Sequence, residues 1–129
     1  MVSLLLISHS PKIAEGVKDL AQEMGGVANI ISVGGTNAGT LGTDYDSIFA
    51  AMSEAAEQGE VIVLADLGSA RLTGQMAREA LDNNLQERVF LCDAALVEGA
   101  LIAAISIEAG QSAQEILDQL QEYVLPKGD

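Results

Sequence analysis

Basic residues are scarce in this chain of 129 residues. Six Lys and Arg stand against 19 Asp and Glu, a formal net charge of −13. So acidic a surface repels phosphate backbones, which argues against nucleic acid and favours a basic protein surface as partner. Cysteine occurs once, as Cys92. That excludes an internal disulfide, and no Cys/His cluster suggests zinc or another metal. The run Val89-Phe90-Leu91-Cys92 reads as a strand with a small hydrophobe at its end. Tryptophan is absent and aromatics make up 3%, so the core must come from aliphatic side chains and alanine. Small side chains let helices lie close to a sheet. No apolar run has the length of a membrane span. The alanine-rich stretch 94–107 is broken by Glu98 and Gly99. The N-terminal run is too short for a signal peptide and lacks preceding basic residues. No membrane association is expected, and the protein is read as cytoplasmic. Histidine also occurs once, as His9.

What is present alternates between strand and helix. Val2–Ser8 is an apolar run that reads as a buried strand. Ser10-Pro11 then offers a good N-cap and the residue best suited to the first helical position. A helix over Pro11–Met24 has an apolar face of Ile13, Val17, Leu20, Ala21 and Met24. Gly25-Gly26 ends it, and Val27–Val33 forms the second strand. Residues 34–43 are a loop with four glycines and three threonines. Asp44 caps a second helix whose inner face is Ile48, Ala51, Met52, Ala55 and Ala56. Glu60–Asp66 is the third strand. A third helix from about Ala70 to Leu81 should turn Leu72, Met76, Ala80 and Leu81 inward. Arg88–Cys92 is the fourth strand, and Asp93 opens a fourth helix ending at Gly110. Ser112 and Glu115 make a capping box for a last helix. The short tail Pro126–Asp129 is expected to be loose.

Such alternation implies one α/β domain over residues 1–129, a three-layer sandwich around a mainly parallel sheet. With strand order 2-1-3-4, the switch point falls between strands one and three. His9 and Asp66 then sit side by side at the carboxyl edge, with the glycine loop flanking them. A neutral imidazole nitrogen can attack phosphorus and hold the phosphoryl group. Its tautomer is set by a hydrogen bond to the other ring nitrogen, for which Asp66 is the natural partner. Phosphoryl oxygens would be held by N–H groups at the helix start and by Ser8, Ser10 and the loop residues Gly35, Thr36 and Thr40. The loop is neither a Walker motif nor a dinucleotide fingerprint. A serine hydrolase is disfavoured because Gly-x-Ser-x-Gly is absent. A receiver domain is disfavoured because Ser8-His9-Ser10 stands where a magnesium-binding acidic pair would be needed. A non-catalytic module whose glycine loop holds a small anion or nucleotide remains open.

Five segments occur in order: Ile7-Ser8-His9-Ser10, Gly34-Gly35-Thr36, Gly42-Thr43, Asp66-Leu67-Gly68-Ser69-Ala70 and Leu96-Val97-Glu98-Gly99-Ala100. Together they resemble the phosphocarrier (M) subunits of phosphoenolpyruvate-dependent dihydroxyacetone kinases, relatives of mannose-type IIA domains of the sugar phosphotransferase system. The resemblance implies that His9 accepts a phosphoryl group from the phosphocarrier protein HPr. It implies transfer onward to ADP held on the kinase L subunit, with Ser69 among the phosphate-binding residues. It also implies a homodimer and no cofactor or metal of the chain's own. Some family members carry further HPr-like and enzyme-I-like domains, expected here to be separate proteins. Asn37-Ala38 departs from the more acidic pair usual in the glycine loop. A mannose-type IIA domain donating to a sugar-specific IIB protein is the nearest alternative.

Overall fold

The computed structural model describes residues 1–127. Four strands form one parallel sheet in the order β2-β1-β3-β4. They are β1 (Val2–Ser8), β2 (Asn29–Gly34), β3 (Glu60–Ala65) and β4 (Val89–Cys92). Between and after them run α1 (Pro11–Met24), α2 (Tyr45–Gln58), α3 (Gly68–Glu79), the single turn α4 (Asn83–Gln86), α5 (Leu96–Glu108) and α6 (Ala113–Leu120). The expected sandwich and strand order are those observed.

Leu4, Leu5, Leu6 and Ile7 are wholly buried because β1 is central and covered on both faces. Successive residues alternate between two cores, as strand geometry requires. Leu4 and Leu6 pack with α1, α5 and α6 through Val17, Ala21, Ala100 and Ile116. Leu5 and Ile7 pack with α2 and α3 through Ile48, Met52, Ala70 and Ala77. The direction of strand succession reverses once, after β2, which puts α1 on one face and α2 and α3 on the other.

Several expectations need correction. Val27 is exposed and β2 begins two residues later, at Asn29. Asp66 lies just beyond β3, and α5 starts at Leu96, not at Asp93. The inner face of α3 is Ala70, Gly74 and Ala77, with Leu81 buried just beyond; Leu72, Met76 and Ala80 face solvent. On α1 the buried residues are Ala14, Val17 and Ala21, whereas Ile13, Leu20 and Met24 are about half exposed. The expected loose tail is docked as far as Lys127: the N–H of Gly68 donates to the Lys127 carbonyl at 2.9 Å. The rest of that tail lies outside the described residues.

Candidate active site

The central strand delivers His9 to the carboxyl edge. Ser8 pairs with Gly34 of β2, and Ile7 with Ala65 of β3. The N–H of Asp66 continues the ladder by donating to the Ile7 carbonyl at 3.1 Å. Position 66 therefore has to lie alongside Ser8 and His9. Its carboxylate collects four donors. Oδ2 accepts from the Ser8 hydroxyl at 2.7 Å and the His9 N–H at 2.9 Å. Oδ1 lies 2.8 Å from His9 Nδ1 and accepts from the Leu67 N–H at 2.7 Å. Burial acts to raise the pKa of Asp66. The hydrogen bonds from His9, Ser8 and Leu67 outweigh it and hold the carboxyl below its ordinary range.

An ionised carboxylate can only accept, so its contact with Nδ1 assigns the ring proton to that nitrogen. Nε2 then carries the lone pair and faces the Ser69 hydroxyl at 2.5 Å. The geometry makes Ser69 the donor in that contact. The His9 side chain is 33% exposed and that of Asp66 is 21% exposed. The imidazole is thus gripped from behind and open at one nitrogen. Such an arrangement suits a nucleophile more than a structural histidine.

The other expected site residues divide. Ser8 is buried behind the ring, donates to Asp66 and accepts from the Ser10 N–H at 3.1 Å. It braces the carboxylate and does not face solvent. The Ser10 hydroxyl caps α1 by accepting from Ile13 N–H at 3.2 Å. In the glycine loop the N–H groups of Gly35, Thr36, Gly39 and Gly42 have backbone partners. Gly35 donates to the Ser8 carbonyl at 3.2 Å, Thr36 to Thr40 at 2.9 Å and Gly42 to the His9 carbonyl at 2.8 Å. The hydroxyls of Thr36 and Thr40 meet each other at 2.7 Å. Gly35, Thr36 and Thr40 thus shape the loop that clasps the His9 backbone, and the N–H groups of Gly35 and Thr36 are already taken by backbone carbonyls.

Gly34 matters for a reason composition could not show. A Cβ there would fall 2.6 Å from the Ser10 carbonyl oxygen and 2.7 Å from the Pro11 Cα. Only glycine lets the end of β2 lie against the turn that presents His9. Gly35 adds a left-handed φ of +74°, which side chains rarely tolerate. The rim also carries exposed Leu41 and Leu67, and the Arg71–Asp93 ion pair at 2.5 Å. The supporting N–H of Leu67 escaped the sequence reading because backbone donors leave no mark in residue identity. Among the described residues no group of three or more His, Cys, Asp or Glu side chains is placed to hold a metal ion. No helix among them is long and apolar enough to cross a membrane.

Comparison with known proteins agrees with this picture. The model of the EIIA-man family, PTS system fructose IIA component, matches residues 3–118. A phosphoryl donor subunit DhaM of PEP-dependent dihydroxyacetone kinase 2 from Listeria innocua is 40% identical over 121 residues, covering 93% of this chain and 97% of that protein. The corresponding DhaM subunit from Providencia stuartii is 35% identical across 98% of this chain, but this chain spans only 28% of its length. A crystal structure of a protein of unknown function is 36% identical with a TM-score of 0.85, covering 99% of this chain and 98% of that one. The chain belongs to the EIIA-man family of phosphotransferase-system components and, within it, groups with the phosphoryl donor subunits of dihydroxyacetone kinase.

Proposed function

We propose that the protein is a phosphohistidine carrier. It accepts a phosphoryl group from HPr on Nε2 of His9 and passes it to ADP held on the L subunit of dihydroxyacetone kinase. The observation that carries this reading is the asymmetry of the ring: Nδ1 is engaged by Asp66 and Nε2 is directed outward at Ser69. In the first step the Nε2 lone pair forms a P–N bond as the donor's P–N bond breaks, and the donor imidazole keeps the released electron pair. Nδ1 retains its proton, so positive charge developing on the ring meets the Asp66 carboxylate. In the second step the terminal phosphate oxygen of ADP attacks the same phosphorus. Nε2 regains its electron pair, and ATP forms on the L subunit. Ser69 yields its place at Nε2 to the phosphoryl group and donates to one of its oxygens. The family's homodimer belongs to this reading, and sedimentation equilibrium tests it.

The decisive experiment is incubation with enzyme I, HPr and phosphoenolpyruvate, followed by mass spectrometry. The protein should gain one acid-labile phosphoryl group, and His9→Ala should gain none while keeping its circular dichroism. Adding the L subunit with ADP should discharge the label. Undiminished labelling of His9→Ala, or a label that the L subunit never removes, would overturn the assignment.

A further inference from the structure

A phosphoryl group on His9 adds negative charge to an already acidic neighbourhood. Asp66 and Asp93 both lie at this edge, and the whole chain carries −13. The sequence offers only six Lys and Arg to offset it. At this edge Arg71 is engaged with Asp93. Lys127 is placed differently. Its ammonium donates to the carbonyl of Ala94 at 2.8 Å, a neutral acceptor. It lies within the electrostatic reach of Asp93, Asp66 and Cys92.

The segment before Lys127 fixes that position. Val124 forms an antiparallel bridge with Ala94. The Ala95 N–H donates to the Tyr123 carbonyl at 2.8 Å, and the Leu125 N–H to the Asp93 carbonyl at 2.9 Å. The Lys127 carbonyl then accepts from the Gly68 N–H at 2.9 Å, one residue before Ser69. Residues 123–127 are thus a strap from the loop after β4 to the start of α3, where the chain passes from Asp66 to Ser69. The strap holds the half-buried Lys127 ammonium against the Ala94 carbonyl. Burial draws the Lys127 pKa below the usual lysine range, and the carboxylates of Asp93 and Asp66 pull against that.

We infer that Lys127 is an electrostatic positioning residue of the phosphoryl site, its ammonium held by the strap as the standing countercharge of phosphorylated His9. The inference rests on the carrier reading only in taking His9 as the phosphorylated residue. It does not depend on which protein is the donor.

Phosphoramidate provides a test free of protein donors. Its P–N bond breaks, ammonia leaves and a new P–N bond forms on the imidazole. Because His9 is the only histidine, the label reports that site. Phosphorus NMR then follows the titration of the phosphoryl group in wild type, Lys127→Gln and Lys127→Arg. A nearby ammonium favours the more highly charged phosphoryl form, as an opposite charge does for any acid. Lys127→Gln should therefore bind the phosphoryl proton about three- to fivefold more tightly, the scale of a partly exposed charge pair. Lys127→Arg should titrate like wild type, and thermal melting of all three should coincide. Identical titration of wild type and Lys127→Gln would overturn the inference, as would a shift shared by Lys127→Arg with a loss of melting temperature. Labelling by phosphoramidate but not by phospho-HPr would instead refute the donor and leave Lys127 in its role.

Discussion

Asp66 receives four hydrogen bonds and every partner is a donor. That sharpens what Asp66→Asn should do. An asparagine has one accepting oxygen and one donating NH₂ group. Whichever way it turns, its NH₂ faces either Nδ1 and Leu67 N–H, or Ser8 and His9 N–H. The first orientation forces the ring into the wrong tautomer; the second strands a backbone donor. Transfer should slow by about 10²–10⁴-fold, by analogy with the loss of the orienting carboxylate in a catalytic triad. Stability should fall by roughly 1–3 kcal/mol, the cost of an unmade buried bond. Single-turnover phosphorylation and urea unfolding read the two effects separately. A variant equal to wild type in both would make the carboxylate dispensable. The pH dependence has a fixed sign. Because the folded protein holds the Asp66 pKa below its unfolded value, the stabilisation is complete above the ordinary carboxylate range. It is lost as pH falls through the lower, folded value. Urea midpoints measured from neutral pH downward should show wild type converging on Asp66→Asn under acid.

At the scale of elements, the large side chains of α1 and α3 pointed the wrong way. A helical stripe of Leu and Met is the usual mark of a buried face, yet Leu72 and Met76 are 48% and 53% exposed. The helices instead approach through Ala14, Ala21, Ala70, Gly74 and Ala77. A Cβ on Gly74 would lie 3.3 Å from the Ile7 side chain, which shows how little room the interface leaves. Close approach lets broad strand residues such as Leu5 and Ile7 fill the space that helix side chains fill elsewhere. Leu72→Gln and Met76→Gln should therefore change stability by no more than about 0.5 kcal/mol. Gly25→Ala should behave oppositely. Its new Cβ would fall 2.3 Å from the Ala104 carbonyl oxygen, wedging α1 from α5. A loss of roughly 1–3 kcal/mol is expected from such overpacking. Chemical denaturation of the three variants checks the contrast, and a harmless Gly25→Ala would refute the tight α1–α5 contact.

At the scale of the molecule, the proposed carrier role asks one exposed nitrogen to serve both partners. In-line transfer needs each reactive group to approach the same phosphorus. HPr and the L subunit should therefore compete for the rim around His9, where Leu41 and Leu67 are exposed. The charge of −13 should speed encounter with basic faces, an attraction that salt screens over about 8–10 Å. Transfer measured by rapid quench should slow as ionic strength rises, and excess L subunit should inhibit phosphorylation by HPr. A rate that climbs with salt, or a ternary complex on one protomer, would remove the shared docking face.

Residue order alone determined the parallel α/β fold, because apolar strand runs and helix caps are local signals and few chain paths satisfy them. It also placed His9 and Asp66 together, since each directly follows one of two neighbouring strands. What it could not reveal was direction and occupancy. Which N–H groups of the glycine loop were already paired depended on backbone closure between Gly35 and Ser8 and between Gly42 and His9. Which nitrogen of His9 faced outward depended on how the turn from β3 into α3 sets Asp66 and Ser69 against the ring of a residue far back in the chain. The helix faces depended on how closely each helix could approach the sheet, a property of two surfaces at once. Lys127 lies 61 positions beyond Asp66 in number, and its carbonyl meets the Gly68 N–H, next to Ser69, because the strap pairs with Ala94. Tertiary structure decided these points, for the physical reason that a hydrogen bond or a charge contact belongs to a pair and its partner is distant in the chain.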